Sequence, residues 1–181
     1  MEVVLSETGA AEGLGEALRG LAVRAVEETL RLEAPRLEEV ARGEGWPAAE
    51  AVEVGLTLTD DASIRELNRT YLARDSATDV LAFFMGGPPV GTEGDAGGPR
   101  ASALREPLLL GDVVVSLETV RTQAVEWGRP QDEELARVVA HGVLHLLGYG
   151  DDTEAARADM HRREDVVLRS LGFEPGDSGD D

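Results

Sequence analysis

The sequence predicts an α+β fold of α/β-like character. It reads as a single domain with a small mixed sheet of about four strands, packed with about five helices and carrying a candidate metal site on a helix with the pattern His-x3-His. Three observations lead there. The chain has 181 residues, the size of one domain with a real core. Apolar spacing switches repeatedly between a two-residue and a 3.6-residue period, in an order of strands and helices that ends in three helices. Two of the three histidines lie four apart within a strongly apolar helical stretch, at His141 and His145.

Residues 2–5 read as a short strand. Leu14, Leu18, Leu21, Ala22, Ala25, Val26 and Leu30 are spaced for a helix between Ala10 and Ala34. Pro35 interrupts it, with a second short helix running to Ala41, and 43–47 reads as a loop. Val52, Val54, Leu56 and Leu58 alternate as in a half-buried strand. Asp60 or Asp61 then caps a helix bearing Ile64, Leu67 and Tyr71.

Val80–Met85 is an apolar strand. The stretch 86–99 holds six Gly and three Pro, and a flexible Gly/Pro-rich loop is expected over 86–105. Leu108–Ser116 is a further strand, with Gly111-Asp112 inside it and a hairpin-like relation to its predecessor. Leu117–Trp127, Asp132–Leu147 and Thr153–Leu171 are helices, the second ended by Gly148. The domain is expected to occupy 1–174, with a disordered acidic tail at 175–181.

Composition excludes several classes. There is no cysteine, hence no disulfide scaffold, thiolate nucleophile or Cys-ligated zinc. The net charge of −19 is unlike a basic nucleic-acid-binding module, while 42% apolar residues is too many for a disordered acidic chain. No run of about 18 uncharged apolar residues offers a membrane span, and the acidic N-terminus does not resemble a signal peptide. A cytoplasmic location is therefore expected. All 17 basic residues are arginine. The acid excess is diffuse, −6 over 1–50, −5 over 51–129 and −8 over 130–181. Such a surface fits a protein kept soluble by self-repulsion in a salty medium. A GC-rich coding sequence would also replace Lys by Arg, but leaves the acids unexplained.

The chemistry concentrates in 141–151, His-Gly-Val-Leu-His-Leu-Leu-Gly-Tyr-Gly-Asp. Residues four apart share a helix face, so both imidazoles can reach one metal ion. Burial favours neutral imidazole, the ligand form. After Gly148 the chain can fold back and bring Asp151 in as a third ligand, leaving a position for water, whose pKa a bound Zn2+ would lower to about 7. Each residue also has a structural explanation. The histidines can be hydrogen-bonded packing residues. Asp151 can be the cap of the last helix, with Glu154 completing a capping box, and Asp152 competes for either role. His161 lies on a solvated face. Gly142 occupies the place where a metalloprotease helix carries its glutamate base, which speaks against a peptidase.

These residues resemble the YbeY endoribonucleases, a family also described as rRNA maturation factors. His141 to Tyr149 match every fixed place of the family helix, and Asp151 stands where its third histidine would be. Two further blocks are similar: Leu67-Asn68 through Tyr71, Asp75 and Thr78-Asp79-Val80-Leu81 to Phe83, and Leu110-Gly111-Asp112-Val113-Val114-Val115. The likeness covers roughly residues 50–172. It implies a single-strand-specific, metal-dependent endoribonuclease that matures ribosomal RNA, notably the 3′ end of 16S rRNA, and serves ribosome quality control.

By position the resemblance makes His141 and His145 both catalytic and metal-ligating, with Asp151 completing a site for one Zn2+ or another divalent metal. Leu72 occupies the place of a family arginine, for which Arg74, or Arg69 one turn back, is the candidate replacement. Thr78, Asp79 and Ser116 sit near strand ends, either lining the cleft or packing a turn and a strand. The implied partners are an rRNA precursor and the ribosome or its small subunit, with neither membrane nor DNA expected. Two other readings stay open, a non-catalytic ribosome assembly factor with a structural metal, and a metal-dependent hydrolase of another substrate. Thermal unfolding followed from low to molar salt is expected to shift upward in temperature. A midpoint that gains nothing from salt would contradict salt adaptation.

Overall fold

A computed structural model describes residues 2–9, 14–44, 52–86 and 108–174. Apart from Gly86, the expected loop at 86–105 lies outside the described residues, as do the tail at 175–181 and most of 43–47. The elements run β1 (Glu2–Glu7), α1 (Glu16–Leu32), α2 (Ala34–Gly43), β2 (Val52–Thr59), α3 (Asp61–Leu72), β3 (Val80–Phe84), β4 (Leu108–Ser116), α4 (Leu117–Glu126), α5 (Gln131–Leu146) and α6 (Glu154–Ser170). Among the described residues there are six helices, where about five were expected. Pro35 lies in the first turn of α2, where its missing N–H is no loss, and Glu33 is the residue between the two helices.

Among the described residues four strands form one mixed sheet in the order β1-β2-β4-β3. β1 and β4 both run parallel to β2, and β3 lies antiparallel against β4 as the expected hairpin-like pair. Alternation sorts the side chains between two faces. Val52, Val54, Leu56 and Leu58 of β2 join Val113 and Val115 of β4 in the main core beneath α1 and α5. Val114 and Leu81 turn the other way to meet Ile64 of α3 in a small second core. β4 carries one extra residue opposite the Glu53–Val54 step. Gly111 follows it with φ of 152°, and a Cβ there would run into the carbonyl oxygen of Phe83.

α5 is the centre of the layer, touching α1, α4, α6, β3 and β4. Leu135, Ala136, Val138, Val139, Val143 and Leu146 supply its apolar contacts. Gly142 allows the closest approach. A Cβ at this position would lie 2.6 Å from Val113 Cγ1 and 2.9 Å from Val80 Cγ2. The place where a peptidase helix carries its base therefore faces the sheet and has no room for a side chain. Gly142→Glu should bury an uncompensated charge and lose of order 3–5 kcal/mol of stability. Urea unfolding beside the wild type measures this, and an unchanged midpoint would mean that α5 does not pack this way.

Candidate metal centre and adjoining cleft

α5 begins after Pro130, with Asp132, Glu133 and Glu134 in its first turn complementing the helix dipole. It ends in a Schellman turn. Gly148 N–H donates to His145 O at 2.9 Å and Tyr149 N–H to Leu144 O at 3.1 Å, with Gly148 at φ 83°. This reversal carries the chain back over the last turn of α5. Thr153, and not Asp151, caps α6, its hydroxyl accepting from Ala156 N–H. Asp151 is held by its backbone, the carbonyl accepting from Arg157 Nη1 at 3.2 Å. Its carboxylate is thereby left to face the histidines.

The Nε2 atoms of His141 and His145 face each other at 2.9 Å, and each lies 3.9 Å from Asp151 Oδ2. Ligand atoms of the three residues all fall within 4.8 Å of one another, and Asp152 is not among them. Both Nδ1 atoms are engaged on the far side. That of His141 bonds Glu164 Oε1 at 2.7 Å, and that of His145 donates to Tyr149 O at 2.9 Å. A divalent cation that favours nitrogen and oxygen fits this donor set: two imidazole lone pairs and one carboxylate converge, each imidazole with its other nitrogen committed.

Tyr149 is itself anchored. Its hydroxyl donates to Glu33 Oε2 at 2.7 Å, and the Arg163 guanidinium lies 4.1 Å from its ring centroid. Burial, with the Glu33 hydrogen bond, pushes its pKa up to about 12. The junction of α1 and α2 thus braces the carbonyl that orients His145.

Charge differs between the two rings. Burial works against a proton on His141, but the hydrogen bond and charge of Glu164 outweigh it and hold the pKa above the ordinary imidazole value. Burial, then the neighbouring His141, holds His145 below that value.

A cleft of about 770 Å³ opens beside His141, lined by Asp79, Trp127, Arg129, Glu133, Glu134, Arg137, His161 and Glu164 among others. Asp79 is the strand-end residue that reaches it, its carboxylate accepting from Val80 N–H and Gln123 Nε2. Thr78 donates to Asp79 Oδ1 at 3.1 Å. Ser116 does not line the cleft. It is buried and caps α4, its hydroxyl bonding Asp61 Oδ1. Arg74 is exposed beyond Ala73, whose left-handed backbone ends α3, and it is not among the residues that line the cleft. The arginines that line it are Arg129 and Arg137.

Residues 25–172 match the model of the family described as Endoribonuclease YbeY. The chain belongs to the YbeY family. The Endoribonuclease YbeY of Moorella thermoacetica is 44% identical over 139 residues, which cover 76% of this chain and 83% of that one. The Endoribonuclease YbeY of Pelotomaculum thermopropionicum is 41% identical over 173 residues, covering 96% and 99%. Among solved structures, the solution structure of TM1509 from Thermotoga maritima aligns over 100% of both chains at 26% identity, with a TM-score of 0.45.

The sequence reasoning missed Glu164 and Arg137 in this YbeY-family chain. A signal was present. Glu133, Arg137, His141 and His145 recur every four residues as a polar stripe on an otherwise apolar helix. Glu164 interrupts the buried stripe Met160, Val167 and Leu168 on α6.

Titration with a divalent cation against a chromophoric chelator should show lost binding for His141→Ala and His145→Ala. Asp151→Asn should weaken binding more than Asp152→Asn does. Since a cation displaces the proton held by His141, affinity should rise with pH through and beyond the ordinary imidazole value of 6.5. Equal affinity in the Asp151 and Asp152 variants would exclude Asp151 as a ligand.

Proposed function

We propose that residues 1–174 form a single-strand-specific, metal-dependent endoribonuclease that matures ribosomal RNA, acts at the 3′ end of 16S rRNA and serves ribosome quality control. Membership of a family whose curated relatives are named endoribonucleases supports the reaction class. The observation that carries the mechanism is the convergence of His141, His145 and Asp151, with His141 also lining the adjoining cleft.

One Zn2+ per chain, or another divalent cation, would be held by His141 Nε2, His145 Nε2 and the Asp151 carboxylate. When bound, such an ion activates water and polarises a phosphoryl oxygen. The protein itself contributes position and charge. Glu164 and the Tyr149 carbonyl keep both Nε2 atoms turned inward. Arg129, paired with Glu134 Oε2 at 3.2 Å, offers a guanidinium on the cleft wall. Arg74, fully outside the cleft lining, is assigned to a phosphate of the RNA strand further out, through the paired donors of its guanidinium. With Gly142 pressed on the sheet, α5 places no carboxylate base between the histidines.

The substrate is an rRNA precursor met on the small ribosomal subunit in the cytoplasm. Among the described residues no helix is long and apolar enough to cross a membrane. The acidic surface repels an RNA chain at long range, so cleavage should tolerate or require more salt than an ordinary ribonuclease does.

The test is cleavage of single-stranded RNA by wild type and His145→Ala purified side by side, with and without chelator. Cleavage should fall to background in the variant and in chelator, and Arg74→Ala should weaken cleavage while leaving metal uptake intact. Equal cleavage by wild type and His145→Ala would contradict the nuclease and favour the non-catalytic assembly factor.

A further inference from the structure

Behind His141 the Glu164 carboxylate belongs to a buried group of charges that includes Arg137. Glu164 is 2% exposed and Arg137 7%. Glu164 Oε1 bonds His141 Nδ1 at 2.7 Å, and Glu164 Oε2 accepts from Arg137 Nη1 at 3.2 Å. Arg137 Nη1 also reaches Asp165 Oδ1 at 3.1 Å, while its Nη2 lies 3.9 Å from Glu133 Oε1. Yet Nε and Nη2 of Arg137 are buried without a hydrogen-bond partner among the described residues.

Stability alone does not account for this arrangement. Removing two charges from water is costly, and apolar side chains of similar volume would serve the core as well or better. Two buried guanidinium nitrogens left without hydrogen bonds add to the cost. What the pair does achieve is local. Arg137 Nη1 holds Glu164 in place through Oε2, and Glu164 Oε1 accepts the Nδ1 proton of His141. The Nε2 lone pair is left pointing at His145 and Asp151. His145 is treated differently, since its Nδ1 meets an uncharged backbone carbonyl.

We propose that Glu164, braced by Arg137, is the positioning residue that fixes His141 in the Nδ1–H tautomer and presents its Nε2 to a divalent cation. This rests on the metal reading above. Arg137 sits one helical turn before His141 on the same face of α5. Glu164 approaches from α6, so the docking of α6 on α5 and the orientation of the ligand are one contact. Without Glu164, the nearest acceptor for a His141 proton is His145 Nε2, and the His141 proton would move to its own Nε2, blocking the lone pair.

The test separates tautomer from metal. The histidine nitrogens of the full-length metal-free chain are read by long-range nitrogen–proton NMR at alkaline pH, and Zn2+ affinity is read by chelator competition. Glu164→Gln keeps an acceptor oxygen and should retain the Nδ1–H tautomer. The double variant Arg137→Leu with Glu164→Leu removes both charges together, so that no lone buried charge unfolds it. It should shift His141 to Nε2–H and bind Zn2+ about 10- to 100-fold more weakly, with Glu164→Gln lying between it and wild type. A double variant that keeps the wild-type tautomer, or the wild-type affinity, overturns the proposal. A wild type that takes up no Zn2+ overturns the metal reading as well, and shows this in the affinity arm independently of the tautomer.

Discussion

Helix α5 lies so close to β3 and β4 that position 142 has room for a hydrogen and nothing larger. The rest of the site follows from that contact. With one side pressed on Val113 and Val80, the adjoining side of the helix turns His141 and His145 toward the rim of the sheet, where α6 and the 148–153 turn can reach them. The same helix must then stop within one turn of His145. Gly148 does this with a left-handed backbone, and the reversed chain returns two things to the histidines: the Tyr149 carbonyl and the Asp151 carboxylate. His145 is held at Nδ1 by that carbonyl and His141 by Glu164 of α6, so that both Nε2 atoms face each other and Asp151.

Charge is arranged locally rather than globally. A net charge of −19 would seem to disqualify a protein from meeting RNA. In the folded chain several arginines are paired with carboxylates. Arg19 pairs with Glu7, Arg163 with Glu33 and Asp159, and Arg137 with Glu164. Arg129 stands on the cleft wall and Arg74 is exposed outside its lining. Such a protein would depend on the metal centre and on screening by salt more than on a broad basic surface.

Much of this was legible in the sequence. Alternation at Val52–Leu58 and the 3.6-residue spacing from Leu14 to Leu30 placed a strand and a helix. Of the two candidate caps, Asp60 and Asp61, it is Asp60 that caps α3. Gly148 marked the end of α5. His141, His145 and Asp151 were read as one group from spacing, and the fold brings them together. Long-range pairings were not legible. Nothing local to Ser116 told that its hydroxyl would be consumed by Asp61, 55 residues away. The break that Glu164 makes in the buried stripe of α6 marked a buried charge, but nothing local named His141, 23 residues earlier, as its partner. Asp151 could be separated from its capping role only by the backbone, which gives that role to Thr153. The family's arginine place, filled by Leu72, also stayed open, because a guanidinium can reach the cleft from another segment, as that of Arg129 does.

The central claim is that two imidazoles and the Asp151 carboxylate hold one divalent cation. It is tested most directly by X-ray absorption on the metal-loaded chain, comparing wild type with Asp151→Asn. Two imidazole nitrogens at about 2.0–2.1 Å and a carboxylate oxygen at about 2.0–2.2 Å are expected for Zn2+, with the oxygen shell altered in Asp151→Asn. A first shell with fewer than two imidazoles, or one that is the same in Asp151→Asn, would contradict it.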